Sequence, residues 1–460
     1  LQLGDGNILR GLADWMIQDM NDHGAICCSV AAVQLSPRGR AASLALQNGL
    51  YTLRSEGICG GQKVKTSRVI DVIDDVIDPV KNYIHYLSYA ARGELAMVLT
   101  NGTESPCIFD IEDTDFTRCP HSFAGLLLAL LKRRYEVFGG DAGKGLIIVP
   151  CDLINDNGRE LKDRLVRLAR AANLGGGFIE WLQTANRFVS TLIDRIVPGY
   201  PAGEAEEVFA ECGYRDDNVV KSELYYQLVL GDPSLRGVFP ADKTGANVVF
   251  AQDVAPYAAR KMRLLNGSHT ALAAAAHLCG VSTVGEAAHD PLLYSFVREY
   301  AVNEACPTIA DLSGGSTADY AESVLERFKN PYIRHEIKSI LQGGAAKYRM
   351  RILPVIKDYV RTAGKLPARS VFALAALCVV CGNKEGGICP NEARFAELCG
   401  AIAGGGDPVV LAREILADRE TWGCDLNAVH PSFSRLVGGY IADICSLGGR
   451  GALKKLSGAK

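Results

Sequence analysis

The feature that most constrains this chain is a change of apolar periodicity near residue 252. Before it, short apolar runs at 25–35, 95–99 and 145–150 alternate with helical patterns at 8–20, 120–136 and 158–172. Apolar runs of that length read as strands buried on both faces, and their alternation with helices predicts a doubly wound parallel sheet. From about residue 253 the pattern becomes a succession of Ala- and Leu-rich helices broken by Gly314-Gly315, Gly343-Gly344 and the glycines 404–406. The expectation is an α/β domain over 1–252 and a mostly α-helical domain over 253–460. A chain of 460 residues exceeds one ordinary core, which agrees with two.

Composition narrows the function classes. A formal charge of −3 offers no basic footprint for nucleic acid, and 48% hydrophobic with 22% charged residues is a globular balance. The strongest apolar run, 372–381, is far shorter than the roughly 18 residues of a spanning helix, so no membrane partner is expected. Fifteen cysteines, an odd number including adjacent Cys27 and Cys28, read as mostly reduced thiols, which favours a cytoplasmic location. Leu1 stands inside an apolar strand-like run, so a segment is expected to precede it, and a signal peptide is not judged from this start. Cys378 and Cys381, with Cys389 and Cys399 beyond, lack the spacing of a zinc site, and His277 and His289 have no spacing partner; no metal is expected. Gly175-Gly176-Gly177 reads as a helix-ending turn.

Leu1-Gln2-Leu3 runs into Gly4-Asp5-Gly6-Asn7 and then a helical pattern. Strand, tight glycine turn and helix N-terminus form the setting that cradles a dinucleotide pyrophosphate. The third glycine of G-x-G-x-x-G is absent, Leu9 standing there, so an ordinary strand-to-helix turn remains the alternative. The acidic residue that commonly ends the second strand to hold ribose is also missing: Val33-Gln34-Leu35-Ser36 is followed by Arg38 and Arg40. Gln34 suits the ribose hydroxyls of NAD, the arginines suit the 2′-phosphate of NADP, and both arginines also read as solvated loop charges.

The segment 260–270 breaks a local rule: Asn266-Gly267-Ser268 interrupts a strongly helix-forming run. Glycine in a helix costs close to 1 kcal/mol relative to alanine, so a reason outside helix propensity is expected. On a straight helix Asn266 and His269 lie about 140° and 80° round from Lys261, with His269 about 12 Å along the axis. Ketone reduction needs a proton donor and a dipole for the developing alkoxide, roles open to Lys261 and Asn266, with His269 orienting substrate or lysine. For that work the lysine pKa should fall from about 10.4 toward 7 or 8. A solvated lysine, an Asn-Gly kink and a satisfied buried histidine are the alternative.

The chain resembles the long-chain mannitol dehydrogenase family, which carries a K-x4-N-x2-H signature, here Lys261, Asn266 and His269. The match runs in order through Gly4-Asp5-Gly6-Asn7-Ile8-Leu9-Arg10, Gln47-Asn48-Gly49-Leu50-Tyr51-Thr52, Pro150-Cys151-Asp152-Leu153-Ile154, Asn157-Gly158, Ser190-Thr191-Leu192-Ile193-Asp194-Arg195, Leu265-Asn266-Gly267-Ser268-His269-Thr270, Arg327-Phe328-Lys329-Asn330-Pro331-Tyr332, Arg351-Ile352-Leu353-Pro354 and Leu366-Pro367-Ala368-Arg369. The resemblance implies a Rossmann-type N-terminal domain, a helical C-terminal domain with a cleft between them, and metal-independent hydride transfer between NAD(H) and a small sugar-acid substrate. It implies Lys261 as general acid/base, assisted by Asn266 and His269, while Gly4, Gly6, Asn7 and Gln34 are the cofactor candidates of the glycine turn and second strand. The polyol branch has Cys-Asp-Asn where this chain has Cys151-Asp152-Leu153, so one oxyanion-holding asparagine is missing unless Asn155 or Asn157 replaces it. That departure turns the expected substrate from a neutral polyol to a hexuronate-derived acid, the D-tagaturonate/D-altronate couple, with fructuronate/mannonate or a hexitol as rivals and a non-catalytic sensor as the other class.

An acid substrate needs a cation for its carboxylate, ideally a guanidinium. The stretch 327–351 offers Arg334, Lys347, Arg349 and Arg351, of which Arg334 and Lys347 are the candidates, against a solvated helix face. Asp194 and Arg195 are a further candidate pair, either in the cleft or as a structural salt bridge. Oligomeric state is not encoded in any feature of the sequence.

Overall fold

The computed structural model describes residues 1–102, 113–152, 154–383 and 392–458, and the chain divides into two compact units, Leu1–Tyr257 and Ala258–Lys460. In the first, eight strands precede residue 190: β1 (Gln2–Leu3), β2 (Val30–Val33), β3 (Tyr51–Cys59), β4 (Gln62–Ile70), β5 (Ile73–Ile77), β6 (Met97–Thr100), β7 (Ile147–Pro150) and β8 (Arg187–Phe188). Six of them form a sheet in the order β5-β2-β1-β6-β7-β8 with every pairing parallel, the reversal of winding falling at β1 and β6. That is the doubly wound Rossmann arrangement, with ligands expected at the carboxyl ends of the strands.

Burial on both faces sustains such short strands. Ala31, Val33, Val98 and Ile148 pack with the helices Tyr83–Ser88, Phe123–Val137, Asn157–Ala171 and Gly176–Thr184. Their alternate neighbours Ala32, Leu99 and Val149 pack on the opposite face with Leu12, Met16 and Met20 of the helix over 7–22. The strand period of two thus divides one apolar run between two cores.

Outside the sheet, β3 pairs with β4 and with β10 (Val220–Glu223), while β9 (Thr191–Asp194), β11 (Gln227–Leu230) and β12 (Val248–Phe250) form a third small sheet. Apolar patterning does not announce β3 and β10 because several of their buried positions are charged. Arg54 meets Glu56 at 2.8 Å and Lys221 meets Glu56 at 3.0 Å, all three side chains buried.

The second unit is helical. Its centre is Gly267–Leu278, whose residues 267–276 are all buried and whose alanines let the helices Pro291–Arg298, Ile337–Leu341, Gly344–Arg351, Ala368–Gly382 and Phe433–Ser457 approach. The apolar run 372–381 lies in the buried helix Ala368–Gly382, where Cys378 is a core side chain. Cys389 lies outside the described residues. Among the described residues no helix is long and apolar enough to cross a membrane, and no three His, Cys, Asp or Glu side chains gather as a metal site.

Candidate active site

The helix carrying Lys261 is not straight. Ala255–Lys261 passes into a π-turn over Met262–Asn266 and then into Gly267–Leu278 without a break. The Gly267 N–H, which in an α-helix reaches Arg263 O, is shared between Leu264 O and Met262 O instead. A π-turn takes up one extra residue, so downstream side chains are placed as if one position nearer. Lys261 to Asn266 then spans four α-positions and Lys261 to His269 seven, leaving both within about 40° of Lys261 and His269 about 10 Å along the axis. The angles of about 140° and 80° expected from a straight helix are corrected by that inserted residue. Lys261, Asn266 and His269 share one stripe.

Each side chain on the stripe has a distinct setting. Lys261 is half-buried at the end of its helix, and the Asn266 amide rests Nδ2 on the Met262 sulfur at 3.5 Å, a weak acceptor that a carbonyl oxygen would outbid. His269 is buried, its ring 4.2 Å from Phe328 and 4.7 Å from His335 between centroids. Burial, and then the charges of His335, Arg327 and Arg351, push its pKa well below the usual histidine range, so the imidazole is neutral at pH 7. His335 is lowered in turn by burial and by Lys347.

Cations therefore surround this end of the stripe. Arg351 donates Nη1 to Thr270 Oγ1 at 3.1 Å, and Lys347 donates to the carbonyls of Ser339 and Ile340 at 3.3 and 3.0 Å. Arg334 is not among them: it is exposed and paired with Glu336 at 2.5 Å. Arg327 and His335 were not singled out in the sequence, and Arg351 was only one of several cations there. Arg327 closes the helix Thr317–Phe328 and His335 lies in the loop after it, where no periodicity reports what a side chain faces.

In the N-terminal unit, Gly4, Gly6, Asn7 and Gln34 come together at the carboxyl ends of β1 and β2. Gly4 has φ 125°, a conformation open to glycine, and at Gly6 an added Cβ would meet nothing within 4 Å, leaving room for a ligand against the backbone. Buried Arg10 pins this turn, donating Nε to Asp5 O at 3.0 Å, Nη2 to Asn7 Oδ1 at 3.2 Å and Nη1 to Asn218 O at 2.7 Å. Asp5 Oδ2 accepts the Arg40 N–H and Gln34 Oε1 accepts the Ala41 N–H at 3.1 Å, tying the loop after β2 to the turn. Arg38 is exposed, while Arg40 donates Nη1 to Asp217 O and lies over the Tyr200 ring. The glycine turn, its exposed helix N-terminus and the Gln34 amide fit a dinucleotide.

Past β7, Asp152 is a half-buried carboxyl whose pKa desolvation raises to about 7 against the pull of the Gly102 backbone and Arg164. Leu153 lies outside the described residues. Asn155 is exposed, and Asn157 commits its whole amide internally, Nδ2 to Pro150 O, Asp152 O and Thr191 Oγ1 and Oδ1 from Thr191 N. Asp194 is buried in β9, opposite Gln227. Arg195 donates to Gly11 O, Ser55 Oγ and Glu223 O, all within this unit.

Residues 1–241 match the mannitol dehydrogenase Rossmann domain and residues 253–430 the mannitol dehydrogenase C-terminal domain. The altronate oxidoreductase of Bacillus subtilis (strain 168) is 36% identical over 99% of this chain and 94% of its own length. That of Yersinia enterocolitica is 35% identical over 99% and 96%. Among solved structures, Pseudomonas fluorescens mannitol 2-dehydrogenase in ternary complex with NAD and D-mannitol has a TM-score of 0.72 at 24% identity, covering 100% of this chain and 94% of that one. A substrate-free D-sorbitol dehydrogenase has a TM-score of 0.81 at 20% identity, covering 98% and 94%. Both share the fold, and with two domain matches in order and full-length relatives above 30% identity, this chain belongs to the mannitol dehydrogenase family of oxidoreductases.

Proposed function

We propose that this chain is a cytoplasmic NAD-dependent sugar-acid dehydrogenase that interconverts D-tagaturonate and D-altronate, with residues 1–252 binding the dinucleotide and 253–460 the substrate. The observation that carries the reading is the stripe of Lys261, Asn266 and His269, aligned by the π-turn and flanked by Arg327, Arg351 and Lys347. The names of the full-length relatives support the substrate couple.

When bound, the dinucleotide supplies or takes the hydride at the carbonyl carbon. In reduction, the Lys261 ammonium gives a proton to the carbonyl oxygen; in oxidation, its amine takes that proton from the hydroxyl. Asn266 Nδ2 donates to the same oxygen as its charge grows, and neutral His269 holds a neighbouring hydroxyl without adding a charge to the site. The cations receive the substrate carboxylate, with Arg351 favoured because a guanidinium binds carboxylate in bidentate fashion and Thr270 holds it beside His269. In this role Arg351 displaces Arg334 as the candidate. Gly4, Gly6 and Asn7 hold the pyrophosphate and Gln34 the ribose hydroxyls, which favours NAD over NADP because Arg40 is already engaged. Asp194 serves as a buried support for β9.

The test is a kinetic comparison of tagaturonate, fructuronate and fructose with NADH and NADPH. The expected result is highest kcat/KM for tagaturonate with NADH. Preference for fructose would refute the acid reading, and preference for fructuronate would move the assignment to the other epimer.

A further inference from the structure

We propose that Tyr300 is a positioning residue for the reaction: its hydroxyl, seated on Gly267, holds the π-turn that brings Asn266 and His269 round to the Lys261 stripe. The inference rests on Lys261 being the acid/base.

Two independent features of the packing carry it. When the Gly267 N–H shifts to Leu264 O and Met262 O, it leaves Arg263 O, and that carbonyl accepts the Tyr300 hydroxyl at 2.9 Å. Tyr300 is wholly buried, so an unpaired carbonyl or hydroxyl at this place would be costly. The second feature is steric. A Cβ on Gly267 would stand 2.4 Å from Tyr300 Oη and 3.3 Å from its Cζ, so only glycine lets the hydroxyl reach the turn. Tyr300 itself belongs to a second π-turn, Glu299–Ala305, anchored by Glu304. The Glu304 carboxylate accepts the backbone N–H of Arg369 and Ser370 and the Ser370 hydroxyl, each at 2.7 Å. On the other side, Arg263 is held by Asp358 at 2.7 Å and by Thr308 O at 2.9 Å. The π-turn is thus fixed from both flanks by groups that touch no reacting atom.

Without the hydroxyl, Arg263 O is free to take back the Gly267 N–H, and the turn can relax to an α-turn. That would rotate Asn266 and His269 about 100° away from Lys261. A displacement of about 1 Å in a catalytic group already costs about 100-fold in rate.

The experiment measures kcat, KM and melting temperature for Tyr300→Phe, Gly267→Ala and the double variant, with Lys261→Ala in parallel. Tyr300→Phe should lose about 10- to 100-fold in kcat, with KM for NADH within about twofold of wild type. Gly267→Ala should lose both kcat and melting temperature. The double variant should regain much of that melting temperature, because the Cβ no longer meets a hydroxyl, while kcat stays low. A purely structural tyrosine predicts that kcat follows melting temperature through the series, and that result would overturn the proposal. So would wild-type kcat in folded Tyr300→Phe. If Tyr300→Phe does not fold, Gly267→Ala assayed below its own melting temperature decides, full kcat counting against the proposal and a loss of kcat for it. Turnover by Lys261→Ala would instead overturn the acid/base reading on which the proposal stands.

Discussion

Asp14→Asn gives the sharpest test of the energetics of the N-terminal unit. Asp14 is wholly buried at the end of the π-turn Leu9–Asp14, beneath the glycine turn, where Tyr51 donates to Oδ2 at 3.1 Å. Burial raises its pKa from 3.8 to about 7, outweighing the opposing hydrogen bond from Tyr51 and the charge of Arg10. Between those values the folded carboxyl is protonated while the unfolded one is ionised, so the folded state binds the extra proton. Stability therefore falls as pH rises from about 4 to about 7, and the full loss is present above about 7. Roughly three pK units at about 1.36 kcal/mol each make that loss about 4 kcal/mol. Asparagine keeps the acceptor for Tyr51 and has no charge to desolvate, so the variant should match wild type near pH 3 and exceed it by about 1.5 kcal/mol at pH 5 and by up to about 4 kcal/mol at pH 8. Urea unfolding followed by the fluorescence of neighbouring Trp15 measures this. Parallel pH profiles for the two proteins would refute the reasoning.

Three further outcomes follow from the sites. Gly39→Ala puts a Cβ 2.4 Å from Gln34 Cγ and 2.6 Å from Asp5 Oδ2, so it should raise KM for NADH about tenfold through displacement of the loop, with the melting temperature little changed. The His269 ring, held neutral by burial, should show no NMR titration between about pH 6 and 8; as its folded pKa is depressed, it withdraws stability as pH falls through about 6.5, where the unfolded imidazole gains its proton. Arg351→Met should raise KM for altronate at least about tenfold more than for a neutral hexitol, and equal increases would remove Arg351 from the carboxylate site.

The sheet was legible where strands are apolar on both faces: 95–99 and 145–150 became β6 and β7 nearly in place, and the glycine turn opened the helix over 7–22. Strands with buried charges, such as β3 with Arg54 and Glu56, were not, since a buried ion pair shows no apolar alternation. At the candidate site, the misfit of Asn266-Gly267 in a helical run was visible, but its cause was not. That cause is a hydrogen-bond shift and a tyrosine 33 residues away from Gly267, neither of which leaves a local pattern. The cation candidates show the same limit: Arg334 and Arg351 read alike in sequence, and only the tertiary packing sets one against Glu336 and the other against Thr270.

The central claim is that Lys261 moves the proton at the substrate oxygen. Lys261→Ala should lower kcat for NADH-dependent tagaturonate reduction by at least about a thousandfold while NADH binding, followed by fluorescence titration, stays within about twofold of wild type. Added primary amines should restore part of the rate with a dependence on amine pKa. Turnover near the wild-type rate in folded Lys261→Ala would contradict the account.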